Sequence, residues 1–107
     1  MTEYVLIESR YPFESRDTEF VEQTALAIKE RGHRVTVFLV QNGVFAARKT
    51  TAGLQRLTNA GVILLADDFS LRERGITATE LAQGVQESGL NSLVDTITQP
   101  NTKAIWH

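Results

Sequence analysis

The 107-residue sequence is long enough to bury one hydrophobic core and too short for two, so we expect a single domain over residues 1–107. Eleven Lys and Arg against 13 Asp and Glu leave a net charge of −2, which argues against general binding to nucleic-acid phosphates. The absence of cysteine excludes disulfides, thiolate nucleophiles, persulfides and thiolate metal centres, and two histidines leave little for any other metal site.

The first half of the chain reads as strand, helix, strand. The apolar run at residues 4–7 predicts a strand covered on both faces. Apolar residues share one stripe of residues 17–31, which predicts an amphipathic helix ended by Gly32. The β-branched and aromatic run 35–40 predicts a second strand that ends at the turn-forming pair Asn42-Gly43.

The middle of the chain contains its most hydrophobic run. Short helical pieces are predicted at residues 44–49 and 54–58, before Gly61. Residues 62–66 then predict a central parallel strand, cut off by Asp67-Asp68, and residues 69–74 have the length of one or two helical turns.

The last third predicts two helices and an edge strand. Thr77 to Glu80 form a capping-box pattern, which predicts a helix that carries Leu81, Ala82 and Val85. The spacing i, i+3, i+4, i+7 of four apolar residues predicts the next helix: Leu90, Leu93, Val94 and Ile97. Residues 103–106 predict a final edge strand. Strands alternating with helices indicate an α/β fold of three layers, α/β/α, around a mostly parallel sheet of four to five strands.

Ligands of such sheets bind where the strands end, and three loops meet there: residues 9–15, 41–45 and 67–74. His33 precedes the second strand and belongs to the opposite edge, which argues against a hydrolase built on Ser70. The residues that form the candidate pocket are Pro12, Phe13, Asn42, Gly43, Asp67, Asp68, Ser70, Arg72 and Arg74.

Most of these residues have two interpretations. Asp67-Asp68 could hold Mg²⁺ or accept a phosphoryl group. Phosphoryl-accepting sites of this kind also need a pair of carboxylates after the first strand, where this chain has only one. Helix capping is therefore the favoured interpretation of Asp67-Asp68. Arg72 and Arg74 could bind a small anion or merely complement a helix end. Asn42-Gly43 forms a pocket floor or only a turn.

The last two residues of the sequence, Trp106-His107, are typical of packing or of a subunit contact rather than of catalysis. His107 reaches the pocket edge if the last strand is parallel.

Several motifs, taken in order along the chain, carry a family resemblance: Pro12-Phe13-Glu14-Ser15, Arg31-Gly32-His33, Val35-Thr36-Val37-Phe38-Leu39 followed by Asn42-Gly43-Val44, and Ser70-Leu71-Arg72-Glu73-Arg74-Gly75-Ile76 before Glu80-Leu81. With these motifs the chain resembles the DsrE/TusD-type sulfur-relay proteins.

The resemblance implies a family fold without the family's chemistry. Sulfur-carrying members have a cysteine just ahead of the Leu-x-x-Arg-Gly stretch, and Ser70 stands at that position. Some members have a second cysteine three residues earlier, where this chain has Asp67, and the family's frequent Asp-Gly-Val is Asn42-Gly43-Val44 here. A serine hydroxyl cannot hold a persulfide.

We therefore expect a non-catalytic member that assembles as a homo-oligomer, or as a hetero-oligomer with cysteine-bearing DsrE-like chains, in intracellular sulfur relay. No metal, other cofactor, nucleic acid or membrane partner is expected, and the absence of a signal peptide or apolar span predicts a cytoplasmic protein. The alternative is a free-standing module that binds a small anion or nucleotide fragment. A metal-dependent phosphoryl-transfer or hydrolytic enzyme rests on Asp67-Asp68 alone.

Overall fold

The continuous apolar runs of the sequence form the three central strands of a five-stranded sheet. The structure, a computed structural model, describes residues 2–11, 18–49 and 54–107. The strands in chain order are β1 (Glu3–Glu8), β2 (Arg34–Leu39), β3 (Ile63–Asp67), β4 (Val85–Ser88) and β5 (Thr102–Trp106). They lie in the order β4-β3-β2-β1-β5, and every neighbouring pair is parallel.

Helical segments connect these strands. The α-helices are α1 (Thr18–Glu30), α2 (Gln55–Asn59), α3 (Asp68–Glu73) and α4 (Leu90–Ile97), and the segments Gln41–Ala47 and Ala78–Glu80 are 3₁₀ helices. Gly32 follows α1 with a φ of +85°, the left-handed conformation that lets a chain leave a helix.

Two helical layers of unequal size cover the sheet. On one face α1, α2, α3 and the Gln41–Ala47 segment pack on a core that includes Leu6, Val37 and Leu64. On the other face Leu93 and Ile97 of α4 pack against a smaller cluster. The predicted three-layer α/β/α fold is confirmed, and in the described ranges a single eight-residue helix makes up the second layer.

The predicted helix through Val85 is wrong. The capping box of residues 77–80 does form, but the helix it starts lasts only three residues. Ala82 then donates its backbone N–H to the carbonyl of Ala47 at 2.8 Å, and Leu81 forms a β-bridge, so this stretch is held by distant backbone. Val85 begins β4 and pairs with Leu64.

The predicted position of His33 is confirmed. Its ring lies at the edge where the strands begin, with its centroid 5.3 Å from that of Tyr4, and its Nδ1 accepts a hydrogen bond from the Thr2 backbone N–H at 3.4 Å. The ring is therefore far from the ends of the strands, where Ser70 lies.

Within the described ranges, every helix is too short or too polar to cross a membrane.

Candidate functional site

The carboxyl ends of four strands surround one cleft of about 500 Å³. Alternate residues of a strand face the same side of the sheet, and Ile7 and Val40 both pack towards Leu93 of α4. Ser9 after β1, Val40 after β2, Asp67 of β3 and Trp106 of β5 line the cleft on this same side. The topology therefore forms the cleft, which we name the carboxyl-edge cleft, between the strand ends, α3 and the start of α4.

The cleft lies at the place where ligand sites form in open α/β sheets. The chain proceeds from β1 to β4 in one direction across the sheet, and β5 returns to the other side of β1. The strand ends on either side of this reversal diverge, which leaves a crevice.

Asp67 and Ser70 form a buried pair in the cleft. Asp67 caps α3: its Oδ2 accepts hydrogen bonds from the Ser70 backbone N–H at 3.0 Å and from the Ser70 hydroxyl at 2.6 Å. The backbone N–H of Gln41 donates to Ser70 Oγ at 2.9 Å. The capping interpretation of Asp67 is thus confirmed, and the hydroxyl of Ser70 is held in one orientation.

The second oxygen of Asp67 has no such partner. Asp67 is 3% exposed, and no hydrogen-bond donor of the described residues reaches its Oδ1. A buried acceptor left without a donor costs about 1–3 kcal/mol. Because this oxygen is enclosed by protein atoms, its cost is that of an unmade hydrogen bond inside the fold.

Arg74 supports the polar side of the cleft. Its Nε and Nη2 donate to Asn42 Oδ1 at 3.1 and 3.0 Å, and its Nη1 donates to the Ser70 carbonyl at 3.1 Å. Three donors of the guanidinium are thus used to join α3 to the 3₁₀ segment after β2. Arg72 is exposed and lies 3.9 Å from Asp68, one helical turn earlier and outside the lining of the cleft.

Gly43 allows the 3₁₀ segment to lie against β1. A Cβ at this position would stand 2.3 Å from the carbonyl oxygen of Glu8, which is itself the acceptor for the Val40 N–H at 2.9 Å. Only a residue without a side chain permits this approach. Gly43 is therefore a packing residue behind the cleft, in addition to its place in a turn.

A second buried pair lies beside the cleft, where β1 and β5 end. The Nδ1 of His107 lies 2.8 and 3.0 Å from the two carboxyl oxygens of Glu8, which is 4% exposed. Burial raises the pKa of the Glu8 carboxyl, and the hydrogen bond to His107 lowers it by less. Ser9 reinforces this pairing by donating its hydroxyl and its backbone N–H to the His107 carbonyl, each at 3.0 Å.

The structure brings together some of the predicted site residues and separates others. Four of them line the cleft: Asn42, Asp67, Ser70 and Arg74. Gly43, Asp68 and Arg72 lie outside its lining. Pro12 and Phe13 lie outside the described residues.

Sequence reasoning missed the apolar wall of the cleft and the Glu8–His107 pair. Phe69, Leu90 and Trp106 line the cleft and are 56%, 56% and 63% exposed. The signal for the pair was an acidic residue at the end of an apolar strand together with a histidine after a final parallel strand.

No histidine is among the described residues that line the cleft, so no imidazole base accompanies the Ser70 hydroxyl there. In the part of the chain that the structure describes, no three His, Asp or Glu side chains form a group that could hold a metal ion.

Comparisons with known proteins agree with the fold. The profile of the DsrE/DsrF-like family matches residues 3–103. No curated protein matches the sequence. The crystal structure of the ychN protein from E. coli superposes with a TM-score of 0.89 at 19% identity, over 100% of both chains.

Two proteins of unknown function have similar structures. MTH1491 from Methanobacterium thermoautotrophicum superposes with a TM-score of 0.81 at 23% identity over 100% of both chains. BT1422 from Bacteroides thetaiotaomicron gives 0.77 at 17% identity, over 98% of this chain and 94% of that one. At these identities the three structures establish the fold alone.

Proposed function

This chain belongs to the DsrE/DsrF-like family, and we propose that it is a non-catalytic member, an oligomeric subunit or accessory of intracellular sulfur relay that does not carry persulfide itself. The observation that carries the proposal is Ser70. It stands where the resemblance places the sulfur-carrying cysteine of the family, and its hydroxyl donates to Asp67 at 2.6 Å. An alkoxide is not formed readily at neutral pH, and oxygen provides no reservoir for sulfane sulfur.

Exposed apolar side chains support an oligomeric role. Four apolar side chains at or near α4 are each more than half exposed. Two of them belong to α4, Leu90 and Val94, and two line the cleft beside the first turn of α4, Phe69 and Trp106. Exposed apolar side chains grouped on one part of a surface are typical of protein interaction sites. A subunit of the same fold that carries the cysteine is the partner that we propose for this face.

The first test is native mass spectrometry of the protein purified at low salt from its own cells. We expect a stoichiometric complex with a cysteine-bearing DsrE-like chain that accepts sulfane sulfur, while this chain accepts none. Recovery of the protein without such a partner would contradict the proposed accessory role.

A pair of matched variants tests the proposed face. Val94→Lys adds a charge to the exposed side of α4 and should weaken the complex at least about tenfold, since an ammonium would be buried without a partner. Ala60→Lys adds the same charge at the exposed end of α2, on the opposite helical layer, and should leave the complex intact. Equal effects of the two variants would show that α4 is not the contact.

A second candidate function is a free-standing module that binds a small anion or nucleotide fragment in the carboxyl-edge cleft. Arg74 is the one cationic side chain of the described residues that line it. Thermal unfolding with phosphate and with AMP tests this function, because a ligand of the native state raises the Tm by mass action. An unchanged Tm with both compounds would exclude it.

A further inference from the structure

We infer that the Glu8–His107 pair is a reactive site of its own, in which the Nε2 atom of His107 accepts acyl groups from activated acyl donors, such as aryl esters and thioesters, and passes them to water. The inference concerns the chemistry of this chain alone. It involves no transfer of sulfur, and it does not rest on the function proposed above.

The pair lies at the carboxyl edge of the sheet, on the side that α1 covers. Ile7 packs towards α4, and its register partner Trp106 faces the same side. Neighbouring residues of a strand face opposite sides, so Glu8 and His107 face α1. There the ring of Phe20 lies 5.8 Å from that of His107, between centroids. The backbone of β1 and β5 therefore separates the pair from the carboxyl-edge cleft.

The carboxylate of Glu8 determines which nitrogen of His107 carries the proton. The Nδ1 of His107 lies 2.8 and 3.0 Å from the two carboxyl oxygens of Glu8. An ionised carboxyl group only accepts hydrogen bonds, so we assign the proton of the neutral ring to Nδ1. The lone pair of the ring is then on Nε2.

This lone pair is open to solvent. The side chain of His107 is 17% exposed, and no donor of the described residues reaches its Nε2. Among the side chains that the structure describes, the only buried nitrogen or oxygen without a hydrogen-bond partner is Asp67 Oδ1. The unpartnered Nε2 is therefore not enclosed by the protein, and an acyl donor can reach it from the solvent.

An imidazole held in this way is an activated nucleophile. When Nε2 attacks the carbonyl carbon of the donor, a C–N bond forms, and the leaving group departs with the electron pair of the bond that breaks. The acylated ring is a cation, and its remaining proton stays on Nδ1 against Glu8, whose negative charge stabilises it. The exposed ring of Phe20 beside it offers apolar contact to the acyl chain.

Water completes the reaction. Its oxygen bonds to the carbonyl carbon, the bond from that carbon to Nε2 breaks, and the electron pair returns to Nε2. The proton that the water loses neutralises the leaving group. The products are a carboxylic acid and the protonated leaving group, and the neutral His107 is restored.

His33, the other histidine of the sequence, is the matched control. Its Nδ1 accepts a hydrogen bond from the Thr2 backbone N–H at 3.4 Å, so the proton of its neutral ring is on Nε2. The two rings therefore have opposite tautomers, which nitrogen NMR of the histidine side chains distinguishes. A proton on Nε2 in both neutral rings would overturn the inference.

The activity is measured on the full chain with p-nitrophenyl acetate at pH 8, where histidine side chains are largely neutral. We expect release of p-nitrophenolate at least about tenfold faster than with free imidazole at the same concentration. His107→Gln should lower this rate about tenfold or more, and His33→Gln should change it less than about twofold. A rate equal to that of free imidazole, or equal effects of the two variants, would overturn the inference.

Glu8→Leu tests the positioning role of the carboxylate. The variant keeps a side chain of similar size at a residue 4% exposed, and circular dichroism checks that it folds. Without the acceptor, the proton of His107 is no longer confined to Nδ1, so NMR should show both tautomers and the rate should fall about tenfold or more. A folded variant with an unchanged tautomer and an unchanged rate would show that Glu8 does not activate His107. The tautomer and rate of the wild-type chain test the site independently of this variant.

Discussion

Ser70→Cys places a thiol in the first turn of α3 against Asp67, and we expect that thiol to be unreactive. The sulfur would occupy the place of an oxygen that lies 2.6 Å from Asp67 Oδ2, in a residue 5% exposed. Two unit charges 4 Å apart at an effective dielectric constant of 20 repel by about 4 kcal/mol. That repulsion raises the pKa of the introduced thiol by about three units.

The expected consequence is a slow reaction with alkylating reagents. The thiolate fraction near neutral pH falls about a thousandfold when the pKa rises by about three units, and the thiolate is the reactive form. Iodoacetamide labelling followed by mass spectrometry measures the rate, with Ser92→Cys on the exposed side of α4 as the accessible reference.

Burial alone also slows labelling, so a double variant separates the two causes. Ser70→Cys with Asp67→Asn keeps the thiol equally buried but removes the carboxylate, and its labelling rate should exceed that of Ser70→Cys by about a hundredfold or more. The reasoning is refuted if Asp67→Asn leaves the rate unchanged, or if Ser70→Cys reacts as fast as Ser92→Cys.

Two further predictions concern stability. Gly43→Ala forces a methyl group to within 2.3 Å of the Glu8 carbonyl, and should cost about 2 kcal/mol or more and lower the Tm by about 10 °C. At Gly32, where φ is +85°, an added Cβ would meet no atom within 4 Å, so Gly32→Ala should cost only the backbone strain of about 1 kcal/mol. Urea unfolding of the two variants compares these costs, and a smaller cost for Gly43→Ala than for Gly32→Ala would contradict the steric account. Because burial raises the pKa of Glu8, its ionisation should lower stability as pH rises from 4.5 through the folded-state value, so Glu8→Gln should gain stability relative to wild type over that window. Hydrogen bonds lower the pKa of Glu80, whose contribution to stability is lost as pH falls below 4.5, so the deficit of Glu80→Gln relative to wild type should shrink below pH 4.5. Urea unfolding from pH 3 to 8 measures both variants, and a stability difference of Glu8→Gln that does not change above pH 4.5 would disprove the burial effect.

The central strands were predictable because most of their residues are buried, and burial on both faces leaves a continuous β-branched and apolar run such as residues 35–40. The edge strand β4 was not predictable from the sequence. Only Val85 of its four residues is buried, so no periodic pattern marks it. Gly84, with a φ of +91°, was the local sign that a helix could not continue, but the capping box before it favoured a helix.

The candidate site was partly predictable for a topological reason. The carboxyl ends of parallel strands meet at one edge, and this places Asp67, Ser70 and Asn42 together from their positions after the second and third strands. The contact of Glu8 with His107 joins positions 99 apart in the chain, and it depends on which edge the last strand occupies. Local patterns carry no information on that choice.

The order of the strands also determines when the cleft comes into existence. From β1 to β4 each new strand pairs with the strand that precedes it in the chain, whereas β5 returns to pair Trp106 with Ile7. Contacts between distant parts of a chain form slowly because a long loop must close first. During synthesis on a ribosome, four strands can assemble before the last wall of the cleft has emerged. A ligand or partner that needs Trp106 in place therefore distinguishes the finished molecule from its four-stranded precursor, and binding there selectively stabilises the completed fold.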